Sequence, residues 1–253
     1  EITAMALSRG PYASSHVLYI GTSNGRIFRL NDPRNAATTA TPVDITPSAI
    51  RDKAYISGIA VNPNDDNEIM IVASNYTYTS GANQIKINNI WWTNGARGSA
   101  PTWKNAEGNL DLPSIRSCAI TVKKDAGNNS VTEYYVGTSV GLYSAVDLNN
   151  SLPGGATPVW TREGGTVLNY ALITSLDYRP DDNYLLVGTH GNGMYYAQVG
   201  TPDFRPNQNT GINDPVRNDK NFIQQALPTV SVKDRINYRI GNMFTIQKIQ
   251  IQV

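Results

Sequence analysis

Hydrophobic and polar residues alternate along most of the first 200 positions, in short runs broken by polar turns. In the run from Ile173 to Tyr178, one side carries Ile173, Ser175 and Asp177, and the other Thr174, Leu176 and Tyr178. A period of two is that of a strand whose successive side chains point to opposite faces of a sheet. No segment sustains the 3.6-residue apolar spacing of a helix. The pattern predicts an all-β chain with few helices.

The runs repeat. Four units align: Glu1–Leu30, Tyr55–Tyr76, Ser114–Leu148 and Leu172–Val199. Each opens with an alternating strand and passes through a polar turn, such as Pro63–Asp66 or Pro180–Asn183. It continues with an apolar strand ending in a small pair, taken here as Gly21–Thr22, Ala73–Ser74, Gly137–Thr138 and Gly188–Thr189. In three units a glycine then leads into an aromatic strand, at Gly25–Phe28, Gly141–Tyr143 and Gly193–Tyr195. Trp-bearing stretches lie between units, at Asn88–Asn94, Pro101–Asn105 and Pro158–Glu163. Strands apolar on both sides need cover on both sides, which radial stacking of small sheets supplies. The units are therefore expected to be β-propeller blades over residues 1–200, each Trp strand covering the next blade's sheet. A β-sandwich also needs alternating strands but predicts no repeated Gly-Thr…Gly…aromatic signature. Four units make either a four-bladed ring or the end of a larger one. The lack of a Trp strand before the first unit favours the larger ring, with sequence upstream.

Composition adds limits. Of 253 residues, 40% are hydrophobic and 16% charged, a low charged share beside roughly 25% in average soluble proteins. Asn, Thr, Ser, Gly and Tyr fill the difference and suit tight turns and half-buried strands. The net charge of +1 gives no field to steer the chain to nucleic acid or an anionic membrane. No apolar run approaches the roughly 18 residues of a membrane span. Residues 1–30 lack a signal-peptide pattern, so export would need a leader ahead of Glu1. The single Cys118 excludes an internal disulfide and a thiolate metal cluster. Its apolar setting, Ser117–Val122, predicts a buried structural thiol.

Strands ending in Val-Gly-Thr, followed by Gly-Leu-Tyr or Gly-Met-Tyr and a Trp strand, resemble the sortilin-type and BNR-type propeller repeats of large bacterial surface proteins. The resemblance covers Glu1–Val199. The Asp-boxes of related glycosidases, Ser-x-Asp-x-Gly-x-x-Trp, are not intact here; Thr161–Tyr170 and Val146–Trp160 are degenerate at best. Residues 201–217 are polar, rich in Pro and Asn, and read as a linker. Residues 218–253 resume strand alternation, clearest in Thr245–Val253. This tail resembles the start of the C-terminal sorting domain of type IX secretion cargo in Bacteroidetes. The resemblance rests on Ala226–Val230 around Pro228, the turn Lys233–Arg235 and Ile236–Tyr238, with Leu227-Pro228-Thr229 where that family more often has Pro-Asn-Pro. It implies a partial β-sandwich, export through the type IX translocon as partner, and a propeller acting outside the cell or on its outer surface.

Candidate chemistry is sparse. His16 and His190 are the only imidazoles, and neither has metal-ligand spacing. His190, after Gly188–Thr189, is placed to line a ligand site but reads first as a loop hydrogen-bonder. The acidic turns Asp65–Asp66 and Asp181–Asp182 lack the several spaced ligands of a Ca²⁺ loop and read as turn stabilisers. Glycoside hydrolysis needs two facing carboxylates; Asp147, Glu163 and Asp177 are available, though nothing local singles them out. No Gly-x-Ser-x-Gly nucleophile elbow is present. Trp91, Trp92, Trp103 and Trp160 are packing residues or stacking platforms for sugar rings. In the pair Trp91–Trp92, adjacent side chains take opposite faces. His190, Trp91 and Trp92 are thus the ligand-surface candidates, with no catalytic set, cofactor or metal expected. The function expected is a non-enzymatic binding or structural module, with a glycan or surface protein as ligand. The alternatives are a carbohydrate-active propeller enzyme and a component of the secretion or gliding machinery.

Overall fold

The computed structural model describes residues 1–9, 15–110, 113–125, 127–146, 148 and 157–199. These form an all-β chain without α-helix, in a four-bladed β-propeller arrangement. The linker and sorting-domain expectations, and Asp147, lie outside the described residues.

Blade 1 is a sheet in the order β1 (Ile2–Leu7), β2 (Val17–Thr22), β3 (Ile27–Asn31) and β4 (Val43–Asp44). Blade 2 begins with β5 (Ile56–Asn62) and β6 (Asp65–Ala73). An exposed ribbon of β7 (Thr77–Ser80) and β8 (Asn83–Lys86) follows, and then β9 (Ile90–Thr93) and β10 (Lys104–Asn105) complete the sheet. Blade 3 holds β11 (Ile115–Lys124), β12 (Ser130–Thr138), β13 (Gly141–Ala145) and β14 (Thr161–Glu163). Blade 4 has three described strands, β15 (Ile173–Arg179), β16 (Tyr184–Thr189) and β17 (Met194–Gln198). Neighbouring strands within each blade are antiparallel. The inner strands β1, β5, β11 and β15 lie side by side in that order.

Each inner strand starts with the same irregularity. The register shifts between Ile2 and Ala4, Ile56 and Gly58, Ile115 and Ser117, and Ile173 and Ser175. Such a bulge turns the strand and strengthens its twist, and here it opens every blade on an isoleucine.

Register also corrects one pairing expected from sequence. Ile2 faces Thr22, Ile115 faces Thr138 and Ile173 faces Thr189, but Ile56 faces Ala73. The counterpart of Gly-Thr in blade 2 is therefore Val72–Ala73, not Ala73–Ser74. Reading small residues alone set the alignment one position late.

Three apolar cores hold the blades together, one at each successive interface. The first joins Tyr19 and Ile27 of blade 1 to Ile56, Ile69 and Ile71 of blade 2. The second joins Met70, Val72 and Trp92 to Cys118, Ile120 and Val136. The third joins Tyr135 and Leu142 to Ile173, Leu185, Val187 and Tyr195. The cover expected of the Trp strands divides: Trp92 on β9 packs towards the next blade, whereas Trp103 and Trp160 reach back to the preceding one. Trp103 donates its indole N–H to Ile45 O in blade 1 at 2.8 Å, and Trp160 donates to Ala106 O in blade 2 at 2.9 Å.

Candidate functional site

Between blades 1 and 2 runs a groove of about 450 Å³, within the range of small-ligand sites. Asp44, Thr46, Ser48 and Arg51 line it from blade 1 and the connector to blade 2, and Trp91, Ser99 and Trp103 line it from blade 2.

Trp91 reaches it by strand geometry. It pairs with Ile71, so its ring lies half-buried on the blade 1 side of the sheet, while Trp92 pairs with Met70 and points to blade 3. The indole N–H of Trp91 is held by Asn88 O at 2.8 Å. With that of Trp103 also bound to backbone, both rings are fixed in orientation and present no free N–H.

The connector from β4 to β5 forms the opposite wall. Gly25 lets it approach: with φ of 72°, a Cβ there would lie 2.2 Å from Ile50 O, so only glycine fits. From the other side, buried Arg29 donates to Ala96 O at 2.6 Å and Gly98 O at 2.7 Å. This fixes the loop that carries Ser99.

A fork of charge-assisted bonds runs along the blade 1 wall of the groove. Arg51 donates to both oxygens of Asp44, at 2.6 and 3.0 Å. Thr46 donates from its hydroxyl at 2.6 Å and from its backbone N–H at 3.0 Å. Arg26 lies 3.6 Å from Asp44 and forks onto Asp52 at 2.9 Å. Burial pulls the Asp44 pKa up, but the bonds from Arg51 and Thr46 outweigh it and hold the carboxyl at about 2. The same bond to Asp44 raises Arg51. Two arginines balance two aspartates, so the groove offers aromatic surface, hydroxyls and a locked ion pair without net charge.

The other sequence candidates lie apart. Trp92 is 3% exposed and donates its N–H to Glu68 at 2.9 Å, deep between blades 2 and 3. His190 is exposed in the β16–β17 turn, where its backbone N–H donates to Leu172 O at 2.8 Å. His16 sits 2.9 Å from Ser8 O through Nδ1. Glu163 is buried on the outermost strand of blade 3 and accepts from Ser144 Oγ at 2.5 Å. Asp177 is on the innermost strand of blade 4, bonded to Arg9 at 3.1 Å. The two carboxylates stand on different blades, one on an outermost and the other on an innermost strand. Asp66 and Asp182 are spent on Arg97 and Arg179, at 2.7 and 2.5 Å. Among the described residues, no three His, Cys, Asp or Glu are grouped to hold a metal ion.

Sequence reasoning missed Asp44, Thr46 and Arg51. They sit seven or fewer positions apart, but nothing in the residues 43–54 marks them beyond an Asp followed by an Arg; the fold makes them a wall.

No protein-family model matches the chain. No curated protein matches it either. Among solved structures it is similar to chains of the COPII coat on membranes, one from the outer coat vertex and one from the assembled coat. Each match has 16% identity and a TM-score of 0.48 over 76% of this chain. The chain spans 45% of the first and 25% of the second. The four-bladed arrangement rests on the sheets themselves. Among the described residues, no helix is long and apolar enough to cross a membrane.

Proposed function

We propose that this chain is a non-enzymatic binding module of the sortilin/BNR propeller kind, acting outside the cell, and that it takes a neutral polar ring such as a sugar in the groove between blades 1 and 2. The observation that carries the reading is the pairing of two fixed indoles, Trp91 and Trp103, with an uncharged set of hydroxyls and a locked Asp44–Arg51 fork. Aromatic faces stack on the apolar face of a sugar, and hydroxyls and carboxylates take its OH groups. Glu163 and Asp177 stand on different blades and are engaged by Ser144 and by Arg9, which supports binding over hydrolysis.

Export by the type IX translocon, with surface or secreted location, is part of the same proposal. It is supported by the resemblance of Ala226–Tyr238 to a sorting-domain opening.

Titration of intrinsic Trp fluorescence with a panel of neutral oligosaccharides tests the binding. A saturable change is expected with at least one of them, lost in Trp91→Ala while the far-UV spectrum is kept. A flat response across the panel removes the sugar reading. For export, deletion of residues 201–253 should retain the protein inside cells that otherwise release it. Unchanged release removes the sorting-domain reading and leaves the groove as it stands.

A further inference from the structure

Two of the three blade interfaces are built on one repeated contact, and the described residues hold both halves of a further one that is not made among them. In the first interface, a Cβ on Gly21 would lie 2.5 Å from Cγ2 of Ile56, the residue that opens the next blade's inner strand. In the third, a Cβ on Gly137 would lie 2.5 Å from Cγ2 of Ile173. The glycine is a socket, and the isoleucine of the next blade fills it. Ile56, Ile115 and Ile173 are each 0% exposed. The middle interface shifts the same volume: Val72 occupies the socket position, and Gly58 opposite it on β5 leaves room 3.3 Å from Cys118 Sγ.

Blade 4 has the socket without its occupant. Gly188 pairs with Ser175 as Gly137 pairs with Ser117, yet the atoms nearest a Cβ there all belong to Ser175 of its own blade. Blade 1 has the key without its socket. Ile2 corresponds in register to Ile56, Ile115 and Ile173 but is 56% exposed. The strand behind it shows the same face, with Met5 at 64% and Leu7 at 52%. Met5 pairs with Ile20 and Leu7 with Leu18, whose partners on β3 are Phe28 and Leu30. On blade 4, Leu186 and Met194 are exposed beside Gly188. Across the seam, Arg9 donates to Tyr178 O at 2.6 Å and to Asp177 at 3.1 Å. That contact ties the C-terminal ends of β1 and β15.

We propose that the seam between blade 4 and blade 1 is a docking pair that closes within the chain, Ile2 seating over Gly188 as Ile56 does over Gly21 and Ile173 over Gly137. The occupant of the blade 4 face is blade 1 itself. Two apolar faces with complementary relief, already held together at one end, meet at a far higher effective concentration than two separate molecules do. Arg9 is exposed, and a surface ion pair is weak enough to guide the approach without fixing one geometry. The seam therefore gives the ring an open and a closed state, and among the described interfaces it is the one able to open without breaking a core.

A cysteine pair tests this. Ile2→Cys with Gly188→Cys is placed in a Ser175→Ala background that makes room for the second thiol. At the two established sockets, the Cβ of the seated isoleucine lies 3.1 and 2.9 Å from the glycine's Cβ position, close to the roughly 3.5–4.5 Å of a disulfide. Cys118 is buried and does not compete. Mild oxidation should give a cross-linked monomer that migrates faster than its reduced form. A covalent dimer would overturn the proposal in favour of a second copy on the same faces, and free thiols throughout would overturn it in favour of a seam that stays open. Hydroxyl-radical oxidation of the unmodified chain gives a second readout that no engineered cysteine can spoil. Met5 should oxidise several-fold more slowly there than in Gly188→Val, where the socket is filled. Equal rates would sink the closure.

Discussion

At the scale of single residues, the molecule is governed by volume and by buried polar partners. Gly21 and Gly137 are sockets, so Gly137→Val should overpack the blade 3–blade 4 core and cost about 1–3 kcal/mol, read as a lower urea midpoint with an unchanged slope. Gly58 and Val72 show that a socket needs the right total volume and not a given residue. For that reason the small-residue rule misaligned blade 2, although the glycines of the other three blades were legible from sequence. Cys118 was legible too. It is buried with its thiol 3.8 Å from Met70 O, and burial pushes its pKa far up. A thiol reagent should therefore leave it untouched until denaturant unfolds the chain. Asp44 gives the pH dependence. Its folded pKa of about 2 lies below its unfolded value, so its contribution is complete above the ordinary carboxylate range and lost as pH falls towards 2. Between pH 5 and 2, the wild-type chain should lose about 1–2 kcal/mol more stability than Asp44→Asn, solvent screening of the partly exposed fork reducing the full linkage value, measured by chemical denaturation at each pH.

At the scale of strands and turns, the alternation of residues located most elements and the polar turns between them. What it did not locate were the polar links that cross from blade to blade, because they depend on residues distant in sequence. Glu68 is the clearest. Buried at the end of the run Asp65–Glu68, it accepts from Asn62 at 2.5 Å, from Trp92 at 2.9 Å and from the Tyr134 hydroxyl of the next blade. Removing it strands three donors in the core, so Glu68→Ala should cost about 2–4 kcal/mol, seen as a lowered denaturation midpoint. Glu68→Gln, which keeps an acceptor oxygen, should cost less. Trp103 and Trp160 do lie beside the edge strands β10 and β14, but β9, which carries Trp91 and Trp92, lies inside its sheet, and the direction of cover was not legible for any of them. Nothing local distinguishes a strand that packs forward from one that reaches back to Ile45 or Ala106, and only the pairing of β10 and β14 decides it.

At the scale of the whole molecule, stability is a sum of blades and of the interfaces between neighbours. Blades 2 and 3 have a core on each side, whereas blade 4 has one core and three described strands. Hydrogen exchange should follow that order, with amides of β6 and β12 slowest and those of β16 and β17 markedly faster. Uniform protection across the four blades would mean that the interfaces do not act as separate units. The architecture was readable because a period of two and a repeated unit survive in a single sequence. The groove was not, because it belongs to two blades and to neither strand pattern. The ribbon β7–β8 touches the cores only through Tyr78, which packs against the first one under the Lys53 ammonium at 5.1 Å, while its other side chains face solvent. Its tip at Gly81 has a φ of 61° and no atom within 4 Å of where a side chain would begin. A peptide epitope spliced in at that tip would ride clear of every blade, giving a handle by which the folded protein can be tethered, imaged or pulled.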